Sequence, residues 1–138
     1  MSKWEMKDPS IGDHIRVQMG ALYHHAIYVG NDEVIQFGHP FDYQKSASNV
    51  FVIKSPIDDF LRGGFLEVRV YDRKERKKKR TPTEIVQEAY RHLGEGGYHI
   101  LNNNCEHFAN YCVFGVKFSE QIDAAHTQMK DQLNRSRD

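Results

Sequence analysis

A chain of 138 residues suits one domain with a sizeable core, and a formal net charge of zero gives it no overall pull toward nucleic acid. Its two cysteines, Cys105 and Cys112, fall in one predicted helix too far apart to pair, so a reducing compartment is expected. The polar N-terminus lacks a signal-peptide core and no run reaches the roughly 20 apolar residues of a membrane span, so a cytoplasmic, soluble protein is expected.

Residues 1–10 read as a polar lead-in loop. His14–Met19 alternates polar and apolar side chains, the period of a half-buried strand, and Gly20-Ala21 reads as a turn. Tyr23–Val29 is a second strand, joined through Gly30-Asn31-Asp32 to a third over Glu33–Phe37, so the two form a hairpin. Residues 38–49 are rich in turn formers; Val50–Lys54 is a fourth strand, Pro56–Leu61 one helical turn stopped by Gly63-Gly64, and Phe65–Tyr71 a fifth strand.

The basic run 73–80 has two readings: a solvated loop, or a patch facing anionic lipid headgroups. Thr81-Pro82-Thr83-Glu84 predicts a capped helix start, with Ile85, Ala89 and His92/Leu93 on one face and Gly94 as its stop. Asn104 is a favoured helix cap, which makes Cys105 the first residue of a helix that ends at Gly115 and buries Phe108, Ala109 and Cys112. From Ser119, Ile122, Ala125, His126, Met129 and Leu133 recur at helical spacing, so an amphipathic helix over 119–133 is expected. Strands followed by helices give an α+β fold in a single domain over 1–138, its core at 12–118. The sheet, of about five antiparallel strands, is covered by the Cys105 helix.

A cysteine at a helix N-terminus sees free amides and the positive end of the helix dipole, which favour a thiolate and can receive an oxyanion. A buried structural cysteine is the ordinary alternative. What favours chemistry is a base, because imidazole beside a thiol can take its proton and return it to a leaving group. His107 is two residues on in the same helix and points away from Cys105. His92 and His126 lie on helical faces, and His39 and His99 in loops. His24 and His25 stand in an otherwise apolar strand, one on each face of the sheet, and alternation alone does not say which meets the cysteine.

Tyr23-His24-His25-Ala26-Ile27-Tyr28-Val29-Gly30, followed about 80 residues later by Asn104-Cys105-Glu106-His107-Phe108, resembles the lecithin:retinol acyltransferase (LRAT) family, which includes the phospholipase A/acyltransferase group. The likeness runs from about Gly12 to Phe118. It implies a circularly permuted papain-like (NlpC-like) arrangement with histidine ahead of cysteine. It implies Cys105 as nucleophile, His24 as base and Gln36 as the third catalytic residue, where the family usually has histidine. Gln36 cannot ionise, but its carbonyl can accept the imidazole Nδ1–H and so orient His24. The implied reaction is attack of Cys105 on an ester of a glycerophospholipid, a thioester intermediate, and release to water or to another acceptor. It needs no cofactor or metal, and its partners are phospholipid and, transiently, a membrane surface. Two other readings remain: a non-catalytic interaction protein carrying the same two motifs, and a permuted papain-like isopeptidase for ubiquitin-like modifiers, which shares the architecture and has a similar cysteine motif. The latter typically carries Asn where Glu106 follows the cysteine.

Overall fold

The computed structural model describes residues 2–38, 49–99 and 104–119. Its strands are β1 (Lys3–Glu5), β2 (His14–Met19), β3 (Leu22–Gly30), β4 (Glu33–Gly38), β5 (Phe51–Pro56) and β6 (Glu67–Val70). Its helices are α1 (Ile57–Leu61), α2 (Arg73–Lys78), α3 (Pro82–Arg91) and α4 (Cys105–Phe114). The strands form one antiparallel sheet in the order β1-β6-β2-β3-β4-β5, with α1 between β5 and β6 and the other helices after them. The fold is therefore α+β, as expected, with six strands among the described residues rather than about five. No helix among them is long and apolar enough to cross a membrane.

The additional strand is β1, inside the stretch read as a lead-in loop. It pairs with β6, Trp4 opposite Arg69, and is too short to show any alternation. Its contribution is the Trp4 ring, which packs edge-on against His14 and His25 and lies under the Arg16 guanidinium. The β3–β4 connection is also tighter than expected. Both central residues, Asn31 and Asp32, are left-handed (φ 54° and 56°), the conformation of a two-residue hairpin turn and one these residue types tolerate. The run 73–80 is not a loop: Arg73–Lys78 is helical, with Asp72 and Glu75 forming a reciprocal capping box. The expected box of Thr81 and Glu84 is present at α3. The amphipathic segment expected over 119–133 lies almost wholly outside the described residues, as does most of the 38–49 loop.

Strand register decides what each face carries. His14 stands opposite Ile27, Arg16 opposite His25, and Ile27 opposite Ile35, so these side chains share the face that packs on α3 and α4. Ile15, Val17, Ala26 and Val34 share the other face, beneath Phe60 of α1. Each face thus has its own apolar cluster. Consecutive histidines of β3 are separated by the sheet itself: His24 faces α1, and His25 faces the α4 side.

His25 is part of a buried pair. Its Nδ1 lies 2.7 Å from Nε2 of His14, and both rings are essentially inaccessible. Burial pulls the His25 imidazole down to about 3, helped by the charge of Arg16 and then by His24 and Arg69. Burial, and after it His25, Arg69 and Arg16, holds His14 well below its ordinary value. Both rings are neutral in the folded chain, whereas in the unfolded chain they titrate near 6.5. Protonation therefore favours unfolding. The stability they contribute is full above about pH 6.5 and is lost as pH falls below it, for His25 down to about 3, by about 1.4 kcal/mol for each pH unit. Urea denaturation should show a lower midpoint at pH 5 than at pH 7. An unchanged midpoint would mean that the pair is solvated.

Candidate active site

Asn104 caps α4 as its side chain predicts, Oδ1 accepting from the amides of Glu106 and His107, each at 3.0 Å. His107 completes the cap in an uncommon way: its Nδ1 accepts from the Asn104 amide, which turns the ring back from Cys105. Glu106 is buried and accepts from the Ser119 hydroxyl at 2.6 Å. Cys105 is thus the first residue of a firmly capped helix, one that ends at Gly115 in a left-handed conformation (φ 77°). The far end of α4 is held by Arg80, which donates to the carbonyls of Tyr111 and Cys112. The basic stretch ending at Arg80 therefore lies at the opposite end of α4 from Cys105.

The thiol occupies a gap in the sheet. Pairing between β3 and β4 is recorded only from Ile27 opposite Ile35 to Gly30 opposite Glu33, while β4 continues along β5 to Gly38. The β4-side main chain of β3 before Ile27 is left for another partner, and Cys105 takes it. Its sulfur lies 3.9 Å from the Tyr23 carbonyl oxygen and accepts from the His25 amide. The Glu106 amide and its own, at the helix N-terminus, likewise favour the charged form. These donors would favour a thiolate, but burial outweighs them and pushes the thiol up to about 11; the Glu106 charge adds to the rise. The helix N-terminus alone led to the expectation of a thiolate. The resting group is a neutral thiol.

His24 and Gln36 meet across the same gap. The His24 Nε2 is 2.6 Å from Gln36 Oε1, and the Gln36 amide donates to Ser55 Oγ, also at 2.6 Å. With its amide donating to Ser55, Gln36 turns Oε1 toward the imidazole, and the ring donates to it through Nε2–H. This corrects the expected contact through Nδ1–H: the bond uses the other ring nitrogen, and Nδ1 is left as the basic lone pair. The ring leans on Phe60, centroids 5.1 Å apart. Burial lowers the His24 pKa, the Gln36 bond opposes that, and the Arg62 charge lowers it further, so the imidazole is neutral at neutral pH.

Of the residues singled out in the sequence, the structure joins His24 to Gln36 and brings Cys105 against the main chain on either side of His24. Among the described residues it makes no hydrogen bond between the His24 ring and the Cys105 sulfur. Sequence reading missed Ser55 and Phe60. Ser55 is 19 positions from Gln36, and only the β4–β5 register brings them together. His92 is structural, bonded to Glu88 and Glu95.

The sequence matches the lecithin retinol acyltransferase family over residues 7–118. Lecithin retinol acyltransferase of Bos taurus is 32% identical over 132 residues, covering 81% of this chain and 57% of that protein. The Homo sapiens lecithin retinol acyltransferase gives the same identity and coverage. Phospholipase A and acyltransferase 2 of Homo sapiens is 28% identical over 129 residues, covering 86% of this chain and 79% of the relative. The chain spans 57% to 60% of the length of the lecithin retinol acyltransferases it matches.

Proposed function

The chain belongs to the lecithin retinol acyltransferase family, and we propose on that premise that it catalyses thiol-dependent acyl transfer and hydrolysis on glycerophospholipids. The observation that carries the reading is the neutral His24 imidazole, oriented through Nε2–H by Gln36 with Nδ1 left basic, beside a neutral thiol at a helix N-terminus.

In this reading the Cys105 proton passes to Nδ1 of His24 as the sulfur attacks the ester carbonyl, and the carbonyl oxygen takes the negative charge. The step starts from two neutral groups and needs no standing ion pair. Their direct contact forms on substrate binding, as catalytic hydrogen bonds often tighten only in the complex. The Cys105 amide at the N-terminus of α4 is the oxyanion donor. Collapse breaks the carbon–oxygen bond to the lysophospholipid, which leaves with the proton from His24 Nδ1. The thioester then yields its acyl group to water or to an alcohol or amine acceptor; His24 removes that group's proton and returns it to the Cys105 sulfur as the carbon–sulfur bond breaks. Gln36 orients the ring and cannot exchange its proton, so one titrating base governs the acid limb of the rate. The permuted papain-like arrangement belongs to the same proposal, supported by the order of histidine strand before cysteine helix. So does action from the cytoplasm on a membrane surface, supported by the two free, buried cysteines.

Incubation with a short-chain phosphatidylcholine, followed by intact-mass and peptide analysis, should place one acyl group on Cys105. An adduct on Cys112, or lysophospholipid formed by a chain in which Cys105 is blocked, would reject the assignment. A non-catalytic scaffold would also keep a raised thiol without a direct histidine bond. Absence of both adduct and lysophospholipid selects that reading.

A further inference from the structure

The turn between α1 and β6 carries an arginine that the reaction as derived does not use. Arg62 ends α1 in the left-handed region (φ 48°), its amide held by the Asp58 carbonyl at 3.0 Å. This is the position where a helix favours glycine, and glycine follows at once in Gly63 and Gly64. The Arg62 side chain is exposed and forms no ion pair or hydrogen bond among the described residues. It is nonetheless close to the chemistry. The preceding residue but one, Phe60, lies against the His24 ring, and the Arg62 charge acts on that imidazole.

The same turn is pressed onto the sheet. A methyl group at Gly64 would stand 2.6 Å from a Val17 methyl, so the loop lies flush on β2. Phe65 follows, 77% exposed, on the rim of an open groove that Met6, Ile57, Leu61 and Leu66 also line. Val17 is two residues from the tip of the β2–β3 hairpin, where Met19 and Leu22 are each about half exposed. The hairpin then runs straight into Tyr23 and His24. The Gly64–Val17 approach joins the Arg62–Phe65 turn to the β2–β3 hairpin, and together these two segments carry an exposed cation and three exposed apolar side chains.

We infer that these two segments form the surface by which the chain seats on a phospholipid bilayer, Phe65, Met19 and Leu22 entering the interface and Arg62 binding the phosphodiester of the lipid presented to Cys105. A guanidinium matches two phosphate oxygens at once, and apolar side chains beside it match the acyl boundary just below. The inference builds on the acyl-transfer reading and moves the lipid-facing surface away from the basic stretch 73–80, at the other end of α4.

The test uses the full chain carrying Cys105→Ala, which can bind without turnover, and co-sedimentation with two kinds of vesicle: phosphatidylcholine, and digalactosyldiacylglycerol, which has no phosphate. Arg62→Gln should weaken binding to phosphatidylcholine about fivefold and leave binding to the galactolipid unchanged. Phe65→Ser should weaken both about tenfold. Both positions are exposed, and unchanged melting temperatures will show that the fold is intact. A chain that does not sediment with phosphatidylcholine overturns the inference. So does an Arg62→Gln loss that is absent, or equal on the two lipids, or a Phe65→Ser variant that binds as before. The acyl adduct on Cys105 is read separately. An adduct without this lipid selectivity removes the docking surface and leaves the reaction, and selectivity without an adduct does the reverse.

Discussion

Replacing Cys105 by serine should lower the release of lysophospholipid by about 10³-fold or more while the chain stays folded. The substitution keeps the cap at Asn104, the amides around the side chain and the gap between β3 and β4. What it removes is the group that a neutral imidazole can deprotonate. A hydroxyl has a far higher pKa than even a buried thiol, and the neutral His24 imidazole is too weak a base to ionise it. Cys112→Ser is the matched control: Cys112 is fully buried near the other end of α4, and burial pushes its thiol up as well. Steady-state turnover per folded molecule should be unchanged in that variant. Serine at 105 with wild-type turnover would dismiss the nucleophile, and Cys112→Ser with the Cys105 phenotype would transfer the role.

The two adjacent histidines should fail in different ways. His24→Ala should cut turnover by about 10² to 10⁴-fold with a small change in stability, because it removes the group that accepts and returns the proton. His25→Ala should cost about 2–4 kcal/mol of stability and leave the rate per folded molecule nearly intact. It deletes the partner of a fully buried His14, whose Nδ1 already lacks a hydrogen bond among the described residues, and the ring that Trp4 packs against. The His25 amide that reaches the Cys105 sulfur survives the substitution. Denaturant midpoints and turnover measured on the same two preparations separate the effects. If His25→Ala loses activity and His24→Ala keeps it, the base has been assigned to the wrong face of the sheet.

What was legible and what was not divides along physical lines. The Asn104 cap, the Thr81 box and the hairpin around Asn31-Asp32 follow from side chains acting on their own backbone, and such local chemistry survives into the fold. The capping box of Asp72 and Glu75 is a signal of the same kind; reading 73–80 as charge alone hid it. The faces of His24 and His25 could not be decided, because period 2 separates two faces without saying which one a distant helix will cover. The Ser55–Gln36 bond depends on register between two strands well separated in the sequence. The ionisation of Cys105 turned on burial, a property of the whole packing: helix-end amides were visible in the sequence, and the desolvation that outweighs them was not. Short β1 left no periodic trace, although its tryptophan lids the histidine pair.

The gap in the sheet that receives the Cys105 sulfur has a consequence for the chain at rest. Peroxide and other oxidants attack thiolates, and susceptibility follows thiolate character and exposure. A sulfur that is enclosed, protonated and lodged against main-chain amide and carbonyl groups offers neither. In the proposed reaction the nucleophile is generated only while a substrate brings the carbonyl and His24 into play, so reactivity would be confined to turnover. An idle molecule beside oxidisable lipid would keep its sulfur reduced without a disulfide partner or any repair.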